Sequence, residues 1–224
     1  MSISQGILFV ISGPSGTGKG SICAGLTLDG KAVISVSMTT RKPRPGEVEG
    51  KSYYYVEREA FREMIEKNGF YEYAEVYNEY YGTPKAPVLE KLSAGKDVIL
   101  EIDPQGAMQI KEACPGCVLV YILPPSLDEL RKRIEGRGSE TPEKIEQRLS
   151  RAQNEIATIE NYDYCVVNDD LDKAIADVKT ILRAEHIKNE INDTESLEDI
   201  DKTALQQANA LRISENAETI AAWL

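Results

Sequence analysis

The sequence predicts an α/β fold with a parallel central sheet between layers of helices, and three observations lead there. Short, largely apolar runs at 7–11, 32–37, 97–102, 118–123 and 163–167 alternate with stretches of helical period, as expected of buried strands joined by crossover helices. The first run passes directly into Gly13-Pro-Ser-Gly-Thr-Gly18-Lys19, a glycine-rich turn that opens a helix. The chain is also large enough: 224 residues, 42% of them hydrophobic, supply one domain with a substantial core and room for an appendage.

The turn after the first strand carries the clearest chemistry. A chain that wraps around a triphosphate aims successive backbone N–H groups inward, in conformations that a Cβ obstructs, so glycines are needed at Gly13, Gly16 and Gly18. Lys19 adds a cation, and the helix starting near Gly20 points unpaired N–H groups at the same phosphates. This is a P-loop. Where such loops usually place a magnesium-binding Ser or Thr after the lysine, this chain has Gly20, with Ser21 the next hydroxyl. Magnesium is therefore expected to be held mainly through phosphates and water.

After the strand at 32–37 comes Ser37-Met-Thr-Thr-Arg41-Lys-Pro-Arg44-Pro-Gly-Glu, whose prolines disfavour helix and central strand. In an extended stretch with three residues per turn, Arg41 and Arg44 share one side. They either grip a second phosphate or belong to a solvated basic loop. Eight of the eleven tyrosines fall between 53 and 81, where a strand (53–56), a helix (57–68) and another strand (70–76) predict a small inserted subdomain. Glu72 alternates with Tyr71 and Tyr73 and is placed to face the same cleft. Residues 78–84 are expected to form a turn into a helix ending near Ala94.

The strand at 97–102 ends in Glu101-Ile-Asp103, at the edge where open α/β sheets bind ligands. For Asp103, water-mediated magnesium contact, a hydrogen bond to substrate and a helix N-cap remain open. Pro124-Pro125 ends the strand at 118–123, and Ser126-x-x-Glu129 forms a capping box. Arg131, Arg133, Arg137, Arg148 and Arg151 spread over two helices around Gly136-Arg-Gly138, a lid or an ordinary charged helix pair. Thr141-Pro142 starts the second of these helices. The strand at 163–167 leads through Asn168-Asp169-Asp170 to a helix running towards Lys188. Beyond it, a Leu205, Ala208, Leu211 repeat predicts one or two helices in a packing or oligomer-forming tail.

Charge and composition exclude several classes. A formal net charge of −11 repels polymer phosphates and argues against nucleic acid as partner, and the residues after 188 hold eight acids against two bases. No apolar run approaches the length of a membrane span and the N-terminus lacks a signal-peptide pattern, so a cytoplasmic protein is expected. Cys23, Cys114, Cys117 and Cys165 make no disulfide framework for a chain of this size. Cys114-Pro-Gly-Cys117 has redox or half-zinc-site spacing, but there is no second pair and His186 is the single histidine. A turn before the strand at Val118 is the simpler reading.

Two phosphate sites served by separate cations point to phosphoryl transfer between nucleotides, in which charge and positioning do most of the work. Ser37-x-Thr-Thr-Arg41-x-Pro-Arg44-x-Gly-Glu47, Tyr80-Tyr-Gly82, Asp103-x-Gln-Gly106, Arg137-Gly and Val167-Asn-Asp resemble the motifs of the guanylate kinase family over about residues 5–188. The resemblance implies a P-loop NTPase three-layer core, a GMP-binding insert at about 38–83 and a helical lid at about 126–160, with the acidic tail at 189–224 outside it. It implies transfer of the ATP γ-phosphoryl to GMP, or to dGMP, giving ADP and GDP with Mg2+ in purine nucleotide metabolism. ATP would lie against Gly13, Pro14, Ser15, Gly16, Thr17, Gly18, Lys19, Gly20 and Ser21, with Arg133 assisting and Asn168 and Asp169 by the adenine. Arg41, Arg44, Tyr53 and Tyr81 would hold the GMP phosphate, and Ser37, Glu72, Thr83 and Asp103 would read guanine. Lys19, Arg44, Arg137 and Arg148 would stabilise charge on the transferring group. The family also includes non-catalytic peptide-binding modules, and kinases for other small phosphate acceptors share the fold. Intact Lys19 and lid arginines favour an enzyme, while monomer and homodimer both remain open.

The choice of base follows from hydrogen bonding. Guanine presents N1–H and N2–H₂ as adjacent donors that one ionised carboxylate accepts together, whereas adenine has a lone pair at N1. A buried Glu72 facing adenine would lose its partners, at about 1–3 kcal/mol for a charged group left unpaired.

Overall fold

A computed structural model describes residues 5–76, 78–136, 141–190, 198–221 and 223. The chain divides into two compact units, one of residues up to 10 with 30–117, the other of 11–29 with 118 onward. The strands of the main sheet are β1 (Leu8–Ser12), β2 (Ala32–Ile34), β7 (Asp97–Glu101), β8 (Val118–Leu123) and β9 (Tyr164–Val167), in the order β2-β7-β1-β8-β9. The β2–β7 and β8–β9 pairings are parallel. Every residue of β1 and β8 is buried, which is why both are unbroken apolar runs rather than alternating ones.

In the first unit a second sheet of order β4-β3-β6-β5 is built from β3 (Met38–Thr39), β4 (Tyr54–Tyr55), β5 (Phe70–Val76) and β6 (Glu79–Pro84). The expectation of a turn over 78–84 is corrected here. Asn78, in the left-handed region at φ 62°, completes the reversal, and the following residues run antiparallel to β5 as β6. Between Phe70 and Glu72 the register shifts by one residue, so Tyr71 is the extra residue of a β-bulge. Helix α2 (Arg58–Glu66) buries Phe61, whose ring stacks on Phe70 at 4.3 Å and on Tyr80 at 5.2 Å. Helices α3 (Lys85–Ser93) and α4 (Pro104–Ala113) complete the unit, and α4 packs on β5. The Asp97 carboxylate accepts the Ile7 N–H at 2.9 Å, so this buried acid ties the start of the chain to β7.

The second unit holds α1 (Lys19–Leu26), α5 (Leu127–Glu135), α6 (Pro142–Ile156), α7 (Leu171–Glu190), α8 (Asp199–Ala210) and α9 (Ala217–Ala221). Only half of the predicted capping box forms: the Ser126 hydroxyl accepts the Glu129 N–H at 3.1 Å, while the Glu129 carboxylate turns to Arg133. Thr141 precedes Pro142 at the N-cap of α6, although its side chain makes no capping hydrogen bond to the helix. The tail is helical as expected and also extends the sheet edge: Cys165 N–H donates to Leu211 O at 2.8 Å and Ile213 N–H to Asp163 O at 3.2 Å, a bridge onto β9. Buried Tyr164 then donates to Glu185 and accepts from Lys188 at 2.7 Å. The bridge covers the start of the β9 edge strand. Among the described residues no helix is long and apolar enough to cross a membrane.

Candidate active site

In the second unit the P-loop is shaped by packing as well as by glycine's freedom. Gly13 has φ 135°, and a Cβ there would come within 2.3 Å of Ile122 O on β8. Gly18, at φ 90°, is the N-cap of α1, and a Cβ on it would meet the Asn168 amide at 2.3 Å. That amide is 6% exposed at the residue level and donates to Thr17 O at 2.7 Å, while the Thr17 hydroxyl donates to Pro14 O at 3.0 Å. Asn168 thus braces the loop from behind, and Asp169 beside it is exposed. The first turn of α1 has no acidic residue and no side-chain cap, which leaves its N–H groups and dipole for an anion. Lys19 Nζ donates to Gly13 O at 2.5 Å and Pro14 O at 2.8 Å, folded over the loop that it would share with phosphates.

Two of the arginines expected in a lid lie on α5 and α6, which pack through Leu130, Ile134, Leu149 and Ala152. Arg133 donates to Glu129 at 3.1 Å, and Arg148 is half-buried on α6. Between them Arg131 pairs with Glu146 at 2.5 Å, clamping the two helices. Arg137 lies outside the described residues.

In the first unit, Arg44-Pro-Gly-Glu47 closes a turn with Glu47 N–H on Arg44 O at 3.1 Å and Gly46 at φ 86°. Proline at the second position and a left-handed glycine at the third are the type II pattern. The turn returns Glu47 to Arg41, which donates through both terminal nitrogens at 2.8 and 3.0 Å. Arg44 N–H at 2.7 Å and Tyr55 OH at 2.8 Å complete the shell around the same carboxylate. A carboxylate accepting four donors, with a guanidinium fork among them, marks an anion site by its own chemistry. Arg41 holds the Glu47 carboxyl down at about 2, aided by the Arg44 N–H, against a small opposing effect of burial. Stability from this pair is therefore fully present above the ordinary carboxylate range and is lost as pH falls towards about 2. Arg41 also stands over the Tyr53 ring at 5.4 Å, and Tyr53 meets Tyr81 edge to face at 6.0 Å, so the structure gathers three of the four residues expected at the GMP phosphate. The fourth, Arg44, is exposed and contributes its backbone N–H to the cluster.

Further along the same sheet, Glu72 is 9% exposed and Thr83 1%. They stand opposite each other in the β5–β6 register, and the Thr83 hydroxyl donates to Glu72 Oε1 at 2.7 Å. Gly106 on α4 makes room for the carboxylate, since a Cβ there would approach Oε2 to 3.2 Å. Asp103 caps α4, accepting Gly106 N–H at 2.9 Å, which gives the cap reading a direct observation. Ser37 is half-buried and its carbonyl accepts Tyr54 N–H at 2.9 Å. Burial pushes the Glu72 carboxyl above its ordinary value, the Thr83 hydroxyl opposes that, and the Asp103 charge adds to it.

The guanylate kinase family profile matches residues 5–185. The chain is 50% identical over 193 residues to a guanylate kinase of Clostridioides difficile, covering 86% of this chain and 93% of that protein. It is 51% identical over 181 residues to a guanylate kinase of Thermus thermophilus, covering 81% of this chain and 82% of that one. The crystal structure of guanylate kinase from Anaplasma phagocytophilum superposes with a TM-score of 0.63 at 34% identity, over 89% of this chain and all of that one. The chain belongs to the guanylate kinase family. The family match ends at 185, so the helices α8 and α9 lie beyond it.

Within this guanylate kinase framework three residues join the site that the sequence reading did not assign to it. Glu47 was legible: Pro45-Gly46 between Arg44 and Glu47 is a turn signal, and such a turn brings the acid back to the arginines. Tyr55 follows from Glu47, since its hydroxyl seeks an acceptor. Gln109 on α4 has no local signal; its side chain accepts Tyr73 N–H at 3.2 Å and donates to Tyr73 O at 3.3 Å, holding β5 next to Glu72.

The raised carboxyl of Glu72 has consequences of known sign. A folded-state value above the unfolded one favours the protonated folded form, so this group's contribution to stability declines as pH rises through the raised value. Reading guanine through Glu72, as expected from the sequence, would require the ionised form. kcat/KM for GMP is therefore expected to rise with pH along an acid limb displaced above the ordinary carboxylate range. A pH profile of kcat/KM reads this directly, and the limb should vanish in Glu72→Gln.

Proposed function

We propose that the chain is an ATP:GMP phosphotransferase, moving the γ-phosphoryl group of ATP to GMP or dGMP to give ADP and GDP in the cytoplasm. The observation that carries the choice of acceptor is the Glu72 carboxylate, buried, oriented by Thr83 and left with acceptor capacity for adjacent N–H donors. In this reading Arg41, Arg44, Tyr53 and Tyr81 hold the GMP phosphate, with Arg41 exchanging its Glu47 partner for phosphate oxygens. Ser37, Thr83 and Asp103 complete the guanine contacts. The second unit holds ATP on the loop from Gly13 to Ser21 and through Arg133, with Asn168 and Asp169 towards the adenine.

No covalent intermediate is needed. In-line attack by a GMP phosphate oxygen transfers a metaphosphate-like group, and Lys19, Arg44, Arg137 and Arg148 spread the developing charge. Magnesium fits as a companion of the nucleotide, since Gly20 stands where the usual metal-binding hydroxyl would be. Its ligands would be phosphate oxygens and water, and bound there it would neutralise phosphate charge.

A coupled assay of ADP release with GMP, dGMP, AMP, UMP and ribose phosphates tests the proposal. Turnover with GMP far above the rest is expected, whereas preference for another acceptor, or none at all, overturns it. Arg148→Ala is expected to lower kcat about 10³-fold while leaving KM for GMP within a small factor, because its charge acts on the transition state. A change confined to KM would move Arg148 from catalysis to binding.

A further inference from the structure

The pair Cys114 and Cys117 takes no part in the site described above, yet its geometry is that of a closable turn. Cys117 N–H donates to Cys114 O at 3.0 Å, which makes Cys114-Pro-Gly-Cys117 a hydrogen-bonded β-turn. Such a turn holds its end Cα atoms less than about 7 Å apart, overlapping the separation that a disulfide spans. The turn faces solvent: Pro115 and Gly116 are exposed and a Cβ on Gly116 would meet nothing within 4 Å. Cys114 is half-buried, while Cys117 is 6% exposed and directly precedes β8. Cys114 also caps α4, its N–H on Ile110 O at 2.8 Å.

What the turn touches gives it meaning. Helix α4 packs on β5, fastened by the Gln109–Tyr73 hydrogen bonds and by the close passage of Gly106 under Glu72. Tyr71, the extra residue of the bulge immediately before Glu72, is near enough to both thiols for their charges to raise its phenol, after burial itself. Bulges re-aim the side chains that follow them, and here the following side chain is Glu72.

We propose that the Cys114–Cys117 turn is a thiol–disulfide exchange site whose closure shifts the end of α4 against β5 and weakens GMP binding. The coupling to GMP rests on the assignment of Glu72 to guanine. The oxidant is a small-molecule disulfide, RSSR. The Cys114 thiolate attacks one sulfur, the S–S bond breaks, and one RSH leaves after taking up a proton. The Cys117 thiolate then attacks the Cys114 sulfur of the mixed disulfide, releasing the second RSH and closing the ring. Two protein thiols are oxidised and one RSSR is reduced to two RSH. The other cysteines are internal controls, since Cys23 and Cys165 are buried and burial pushes the Cys165 thiol up to about 12, where it stays protonated.

The experiment treats the full chain with oxidised glutathione and maps tryptic peptides by mass, the peptide 112–131 carrying both residues. The expected result is the loss of two hydrogens in that peptide, with KM for GMP up about tenfold, KM for ATP unmoved and full reversal by dithiothreitol; displacement of a recognition group by about 1 Å costs up to about 10²-fold. Cys114→Ser should be insensitive, and Cys117→Ser should retain glutathione on Cys114. A 112–131 peptide without the internal bond overturns the inference, and so does a closed bond that leaves KM for GMP unchanged. Failure of the guanine assignment shows separately, as unaltered base preference in reduced Glu72→Gln.

Discussion

Lys19→Ala is expected to lower kcat by about 10³- to 10⁵-fold, the range over which a cation supplied to a transferring phosphoryl group typically acts. The side chain already lies across the loop, donating to Gly13 O and Pro14 O, so the protein holds the ammonium at the mouth of the anion cradle before any nucleotide arrives. In the proposed reaction those carbonyls would give way to phosphate oxygens, and the charge would count most where the bond to the leaving group is longest. Folding should hardly notice. The loop keeps its glycine conformations and the Asn168 brace, and loss of surface-side hydrogen bonds costs about 1 kcal/mol each. Lys19→Arg is expected to remain impaired, because a planar fork does not replace a compact point charge in a loop this tight. Steady-state turnover with saturating ATP and GMP measures the effect, and a kcat within tenfold of the parent would remove Lys19 from the catalytic role.

Glu72→Gln is expected to cut kcat/KM for GMP by about 10²-fold and to raise activity on AMP. Each charged hydrogen bond lost is worth about 1.5–3 kcal/mol and a factor of ten is about 1.4 kcal/mol, so one misplaced group suffices for two decades. The carboxylate has one oxygen occupied by Thr83 and, in the proposed reading, would accept N1–H and N2–H₂ with the remainder. An amide in its place sets N–H₂ against those donors, while the same N–H₂ suits the lone pair at N1 of adenine. Stability is expected to hold or rise, because the variant removes a buried charge whose ionisation is disfavoured in the fold. Unchanged preference between GMP and AMP would separate Glu72 from base recognition.

Much of the architecture was legible from local pattern. The runs that became β1 and β8 are apolar because both faces are covered, and no pairing partner had to be known to recognise them. Gly13, Gly18 and Lys19 announced an anion loop through backbone requirements that act within a few residues. Ser126 and Pro142 marked helix starts by satisfying or lacking backbone donors. The misread stretch at 78–84 shows the limit. Its glycine, proline and asparagine are turn residues by composition, yet six of its seven residues form β6, because β3 and β5 offer ladders on both sides.

Local pattern along the chain was enough for the strand–loop–helix turn at Gly13 to Lys19, the buried strands of the main sheet and several helix starts. These depend on period, capping and backbone freedom, which are properties of neighbours along the chain. Tertiary contacts alone bring Glu72 to Thr83, set Glu47 on Arg41, fasten β5 through Gln109 and make Tyr71 the extra residue of a bulge. A buried polar group takes as partner whatever the fold brings within about 3 Å, and which residues arrive there is settled by strand register and helix packing, not by distance along the chain.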